Sequence, residues 1–145
     1  MSDLQEVRWL ELPKIGNTQK GFLTPAEYGA EYGERPQLPF TIGRAVWLHG
    51  LGPGMVRGQH ANRRSQQVFF CLTGSLDILA DPGRVSQAQV YHLSEPHKGL
   101  YMAPLVWRTL QNFERNSVVL ILSSEPYDEA DYIRDYQEFK KEVGL

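Results

Sequence analysis

Gly54-Met55-Val56-Arg57-Gly58-Gln59-His60-Ala61-Asn62-Arg63-Arg64-Ser65-Gln66-Gln67-Val68-Phe69-Phe70-Cys71-Leu72-Thr73-Gly74 is the stretch whose reading decides the fold. Its second half is a short apolar run bounded by polar residues and closed by Thr73-Gly74, a pattern that reads as a strand over residues 66–72 ending in a tight reversal. Its first half is polar. Residues two apart in a strand point the same way, so His60 and Asn62 share one side and face the interior if the strands close into a barrel.

The same pattern continues outward in both directions. Strands are expected over residues 7–12, 21–24, 42–49, 75–80, 87–93, 100–103, 106–113 and 118–123. Gly52-Pro53-Gly54 and Asp81-Pro82-Gly83 suit the reversals between them. Many short strands at regular spacing argue for an all-β sandwich or barrel rather than a βαβ fold. Residues 27–39 contain Gly29, Gly33, Pro36 and Pro39 and read as a long loop. Helical spacing is confined to the C-terminus, where Tyr132, Tyr136, Phe139 and Val143 fall on one face. Asp128 is the expected cap, Lys140 and Lys141 suit the negative end, and Gly144 is the stop. No repeat, linker or low-complexity tract divides residues 1–145, so one domain is expected.

Composition narrows the function. Of 145 residues 41% are hydrophobic and 22% charged, which is ordinary for a globular chain, and the net charge of −2 offers no broad basic field for nucleic acid or an anionic membrane. The single cysteine, Cys71, excludes an internal disulfide and sits in an apolar run as a core residue. The first residues lack the basic and apolar regions of a signal peptide, and no apolar stretch approaches bilayer length. A cytoplasmic location is expected.

An anionic ligand would therefore depend on a few placed arginines. Arg44, Arg57 and Arg108 offer paired N–H groups to phosphate oxygens, against the plainer reading of each as a solvated surface residue. Asn62 and Gln67 both donate and accept, as sugar hydroxyls and carbonyls require. His60 moves a proton near neutral pH; a purely structural histidine is less attractive among its polar neighbours. His49, His92 and His97 read as structural.

From Gly54 to Gly74 the spacing resembles the first cupin motif (Gly, five residues, His-x-His, four residues, Glu, six residues, Gly). Pro104-Leu105-Val106-Trp107-Arg108 with Asn112 resembles the second. Where cupins commonly bind a metal through three histidines and a glutamate, the positions here read His60, Asn62, Gln67 and Arg108. Amides bind divalent ions weakly and a guanidinium repels them, so no metal and no cofactor is expected.

A more specific resemblance covers the chain from about Lys20 to Lys141. Pro39-Phe40-x-Ile42-x-Arg44, Arg57-Gly58-x-His60-Ala61, Gln67 leading to Cys71-Leu72-x-Gly74-Ser75, Gly99-Leu100-Tyr101, Pro104-x-Val106-Trp107 and Tyr127-Asp128-Glu129-x-Asp131-Tyr132-Ile133-Arg134 follow one another as in the sugar 3,4-ketoisomerases of the WxcM-like cupin family. The resemblance implies a jelly-roll β-barrel with a C-terminal α-helix, assembled as a homodimer. It also implies a metal-independent isomerase that moves the carbonyl of a dTDP-4-keto-6-deoxyhexose from C4 to C3 through an enediol(ate), for deoxyamino-sugar biosynthesis. His60 is then the principal acid/base. The family's second motif histidine is replaced by Asn62, which binds an oxygen or leaves Tyr101 to help relay protons. Lys20 and Arg108 are candidates for specificity. The same replacement keeps two alternatives open, a non-catalytic sugar-nucleotide-binding protein and a keto-sugar epimerase.

Overall fold

The computed structural model describes residues 5–29, 37–84 and 87–144. Twelve strands are present among them: β1 (Val7–Glu11), β2 (Ile15–Asn17), β3 (Gly21–Leu23), β4 (Arg44–Leu48), β5 (Arg57–Asn62), β6 (Gln67–Thr73), β7 (Leu76–Asp81), β8 (Gln89–Leu93), β9 (Lys98–Met102), β10 (Trp107–Gln111), β11 (Val118–Ser123) and β12 (Tyr132–Ile133). One helix, α1 (Tyr136–Glu142), follows. Two five-stranded antiparallel sheets, ordered β1-β9-β6-β11-β4 and β12-β5-β10-β7-β8, face each other as a jelly roll, and β2 and β3 form a separate hairpin.

Alternation along the strands explains where the apolar residues go. Phe69 and Cys71 of β6 enter the space between the sheets with Leu76, Ile78, Leu100, Met102, Leu110 and Val119. Val68 and Phe70 point to the outer side of the first sheet, where Leu10, Leu12, Leu38 and Phe40 cover them. Both faces of β6 are thus buried, which is why its sequence is a continuous apolar run rather than an alternating one. The Cys71 thiol is 1% exposed, and burial pushes its pKa up to about 11, as an unreactive core residue requires.

The C-terminal segment departs from the expected continuous helix. Asp128 caps only a 3-10 turn (Glu129–Asp131). Tyr132 and Ile133 then pair with Asn62 and Ala61. The helix begins afresh behind Asp135, whose carboxylate accepts the N–H groups of Gln137 at 2.8 Å and Glu138 at 3.0 Å. Tyr132 therefore belongs to a strand and not to the helical face. Phe139 carries the packing, fully buried with Ala61 and Ile133 and flanked by Trp107 and Tyr136. Strands β2 and β12 were not expected from the pattern.

Within the 27–39 loop, Leu38 N–H donates to the Glu27 carbonyl at 2.7 Å and Tyr28 bridges Leu38. The middle of that loop, residues 30–36 with Gly33 and Pro36, lies outside the described residues. Among the described residues, no helix is long and apolar enough to cross a membrane.

Candidate active site

The two sheets bring the same end of the sandwich together from opposite sides. In the first sheet Ser123 pairs with Arg44 on β4 and with Gln67 on β6. In the second, Arg108 pairs with His60 and Tyr132 pairs with Asn62. Between them lies a cavity of about 250 Å³ whose walls include Arg44, Arg57, His60, Gln67, Phe69, Arg108, Tyr132 and Arg134. Four arginines and no carboxylate line it, so its field is cationic although the whole chain is slightly acidic.

A bulge in β5 aims His60 into this space. The β5–β10 register shifts between Arg108 and Thr109, and Gly58 and Gln59 sit at φ +83° and +55°. Such a bulge re-directs the side chain that follows it. His60 Nδ1 lies 3.2 Å from the Gly58 carbonyl oxygen, an atom that only accepts. In the neutral ring that contact places the proton on Nδ1 and leaves Nε2 as the basic atom. The ring rests against Tyr132, with centroids 4.9 Å apart. Burial, and then the Arg108 guanidinium, push the His60 pKa down to about 3, with the Gly58 and Asn62 hydrogen bonds opposing them less strongly. The imidazole is neutral at physiological pH, which leaves Nε2 without a proton.

Arg108 is 1% exposed, an unusual depth for a guanidinium. Its Nη1 donates to Asn62 Oδ1, and its Nε lies 3.3 Å from Met102 Sδ. Its Nη2 is buried and has no hydrogen-bond partner among the described residues. Burial lowers the Arg108 pKa to about 10, so the group keeps its charge at neutral pH. Asn62, also 1% exposed, donates from Nδ2 to Asp131 Oδ2 at 3.0 Å. Asp131 further accepts from Ser65 Oγ at 2.6 Å and from Arg64 N–H at 2.5 Å.

Set against the residues singled out from sequence, His60, Arg44, Arg57, Gln67 and Arg108 come together at the cavity. Gln67 Nε2 is held by Ser123 Oγ at 2.8 Å, and Arg44 Nη1 donates to the Tyr132 hydroxyl at 3.2 Å. Three others do not line it. Asn62, expected from the sequence to bind a substrate oxygen, is not among the residues that line the cavity, and both ends of its amide are engaged by Asp131 and Arg108. Tyr101 packs in the outer apolar cluster of the first sheet and donates to Gln66 Oε1 at 2.8 Å, because its neighbours Leu100 and Met102 take the inward positions on β9. Lys20 lies in the exposed β2–β3 turn, its N–H accepted by Asn17 Oδ1 at 2.9 Å. The four positions that hold a metal in many cupins also fail to fit one. Asn62 and Arg108 are bonded to each other and Gln67 to Ser123, and the guanidinium would repel a cation.

Sequence reasoning passed over Tyr132, Arg134 and Asp131. Arg134 donates to Glu129 through Nε at 2.7 Å and Nη2 at 3.0 Å, and its guanidinium lies 4.5 Å over the Tyr132 ring. The signal was present in the Tyr127–Arg134 segment, but its helical spacing hid that Tyr132 and Arg134 leave a strand edge toward the cavity.

Two facing sheets closed around a cavity of this kind make the protein a jelly-roll cupin. Residues 5–144 match the model of the WxcM-like, C-terminal family (FdtA). The chain belongs to that family. It is 37% identical over 111 residues to a TDP-4-oxo-6-deoxy-alpha-D-glucose-3,4-oxoisomerase of Aneurinibacillus thermoaerophilus, covering 77% of this chain and 78% of the relative. Among solved structures it is similar to a sugar 3,4-ketoisomerase of Thermoanaerobacterium thermosaccharolyticum in complex with TDP (34% identity, TM-score 0.85, 94% of this chain and 93% of the other). It is also similar to a TDP-quinovose 3,4-ketoisomerase of Campylobacter jejuni (32% identity, TM-score 0.84, 95% and 99% covered).

Proposed function

We propose that this chain is an isomerase that moves the carbonyl of a TDP-4-keto-6-deoxyhexose from C4 to C3. The observation that carries the reading is a single imidazole, held neutral, on the wall of a cavity whose other charged groups are all arginines. Relatives named for this reaction support it.

The chemistry follows from the side chains. His60 Nε2 removes the proton from C3, and the electron pair left behind forms the C3–C4 double bond of an enediolate with negative charge on O4. Arg108 meets that oxygen, since a buried donor with no partner gains most when charge develops beside it. The O3 proton passes to O4, the C3 carbonyl forms, and the imidazolium, after its Nε2 proton exchanges with solvent, delivers a proton to C4. No proton or electron is gained or lost overall. Arg44, Arg57 and Arg134 at the cavity wall supply the charge that a diphosphate needs.

A homodimer in the cytoplasm belongs to the same reading. Its catalytic core is tested by incubation with TDP-4-keto-6-deoxyglucose in deuterium oxide, followed by NMR. A 3-keto product deuterated at C4 is the expected result. Nucleotide-sugar binding with neither product nor deuterium uptake would overturn it.

A further inference from the structure

Behind the cavity wall three buried side chains stand in line, and the proposed chemistry uses only the last. Asp131 accepts from Asn62, and Asn62 accepts from Arg108. Asp131 is 2% exposed. Its burial would raise its pKa, but hydrogen bonds from Ser65, from the Arg64 N–H and from Asn62 outweigh that, so it stays ionised and only accepts. A guanidinium only donates. A primary amide joins an acceptor-only group to a donor-only group without charge of its own, and Asp131 fixes which way that amide faces. With Nδ2 claimed by the carboxylate, Oδ1 is left for Arg108 Nη1.

The consequence falls on Arg108. Its guanidinium is planar, so pinning Nη1 against Asn62 and Nε against Met102 sets the direction of Nη2. Nη2 is the buried atom with no acceptor. Buried donors are rarely left unpaired, and because Arg108 is among the residues that line the cavity, an acceptor from a ligand there would satisfy this one. We propose that Asp131, acting through Asn62, is a positioning residue that presents Arg108 Nη2 to the keto-sugar oxygen on which charge develops. This inference rests on the ketoisomerase reading for the identity of the ligand.

The test is a mutant cycle read by calorimetry, run in a His60→Asn background so that the sugar is not consumed. TDP and TDP-4-keto-6-deoxyglucose are titrated into that chain, into Asn62→Ala, Asp131→Asn and Arg108→Gln on it, and into the Asn62→Ala/Arg108→Gln double variant. Thermal unfolding confirms that each is folded, and Asn62→Ala decides the matter if Asp131→Asn does not fold. Expected is a loss of about tenfold in affinity for the keto-sugar relative to TDP for each single variant, with TDP itself held within about twofold. Once Arg108 is already Gln, adding Asn62→Ala is expected to change that ratio by less than about twofold. In the chain with His60 present, Asn62→Ala should lower kcat by about 10²-fold and raise KM by about tenfold, matching the loss of keto-sugar affinity. An unchanged ratio, a parallel loss of TDP binding, or the same loss with and without Arg108 would overturn the inference. A chain with His60 that forms no 3-keto product would instead defeat the ketoisomerase reading, while the binding ratios still decide the positioning role.

Discussion

His60 titrates far from where a free imidazole does, and the direction of that shift governs two measurements. With a folded pKa of about 3 against an ordinary 6.5, the ring stays neutral throughout the physiological range. The profile of kcat/KM is therefore expected to be flat from about pH 5 to 8, where an unperturbed imidazole would show a fall near 6.5. An inflection near 6.5 that His60→Asn abolishes would contradict it. The same shift makes stability depend on pH. Between about 3 and 6.5 the unfolded chain binds a proton at His60 that the folded chain does not, so this contribution is complete above 6.5 and is lost as pH falls toward 3. Its slope is at most about 1.4 kcal/mol per pH unit, visible as a difference between wild type and His60→Asn in urea unfolding. At this scale the sequence made His60, Gln67 and the three arginines legible because polar residues in an otherwise apolar barrel have few places to go. That Tyr101 lies on the outer side of its sheet was not legible, for a physical reason. Leu100, Tyr101 and Met102 are all buried, since both sides of β9 are covered here, and alternation then gives no sign of which residue points inward.

Among the elements, β5 matters most to the site, and its bulge depends on one glycine. Gly58 holds φ +83°, and a Cβ there would stand 3.0 Å from the Arg108 carbonyl oxygen and 3.2 Å from Leu110 Cδ1. Gly58→Ala is expected to cost about 1–3 kcal/mol in stability, because both the backbone angle and the space oppose a side chain. Turnover should fall more than stability alone explains, since the Gly58 carbonyl also sets the His60 tautomer. Chemical denaturation and steady-state kinetics on the same sample check this; a variant with wild-type kcat would show that the bulge does not aim the imidazole. Most strands were legible from short apolar runs and turn residues. The two-residue β12 was not, because Tyr132, Tyr136, Phe139 and Val143 share a helical spacing that local sequence cannot distinguish from a strand followed by a helix. Pairing with Asn62 and Ala61 across 70 residues of chain decides it, and such long-range pairing leaves no local trace.

For the whole molecule, the outer face of the first sheet is left partly uncovered. Trp47 is 61% exposed on β4 beside its register partner Leu120, and Leu72 and Phe22 are exposed nearby. Burying that band against a second copy is the expectation that follows from the proposed homodimer, and Trp47→Asp is expected to yield monomers by light scattering at micromolar concentration. A wild-type monomer, or an unaffected dimer in the variant, would place the contact elsewhere or remove it. The jelly roll itself does not define the reaction, which depends on what its open end holds. The most direct test of the account therefore compares wild type with His60→Asn on TDP-4-keto-6-deoxyglucose in deuterium oxide. The account predicts deuterium at C4 of a 3-keto product with wild type, a rate lower by about 10³-fold or more in the variant, and TDP binding retained by both. Equal rates of deuterium uptake in the two proteins would contradict it.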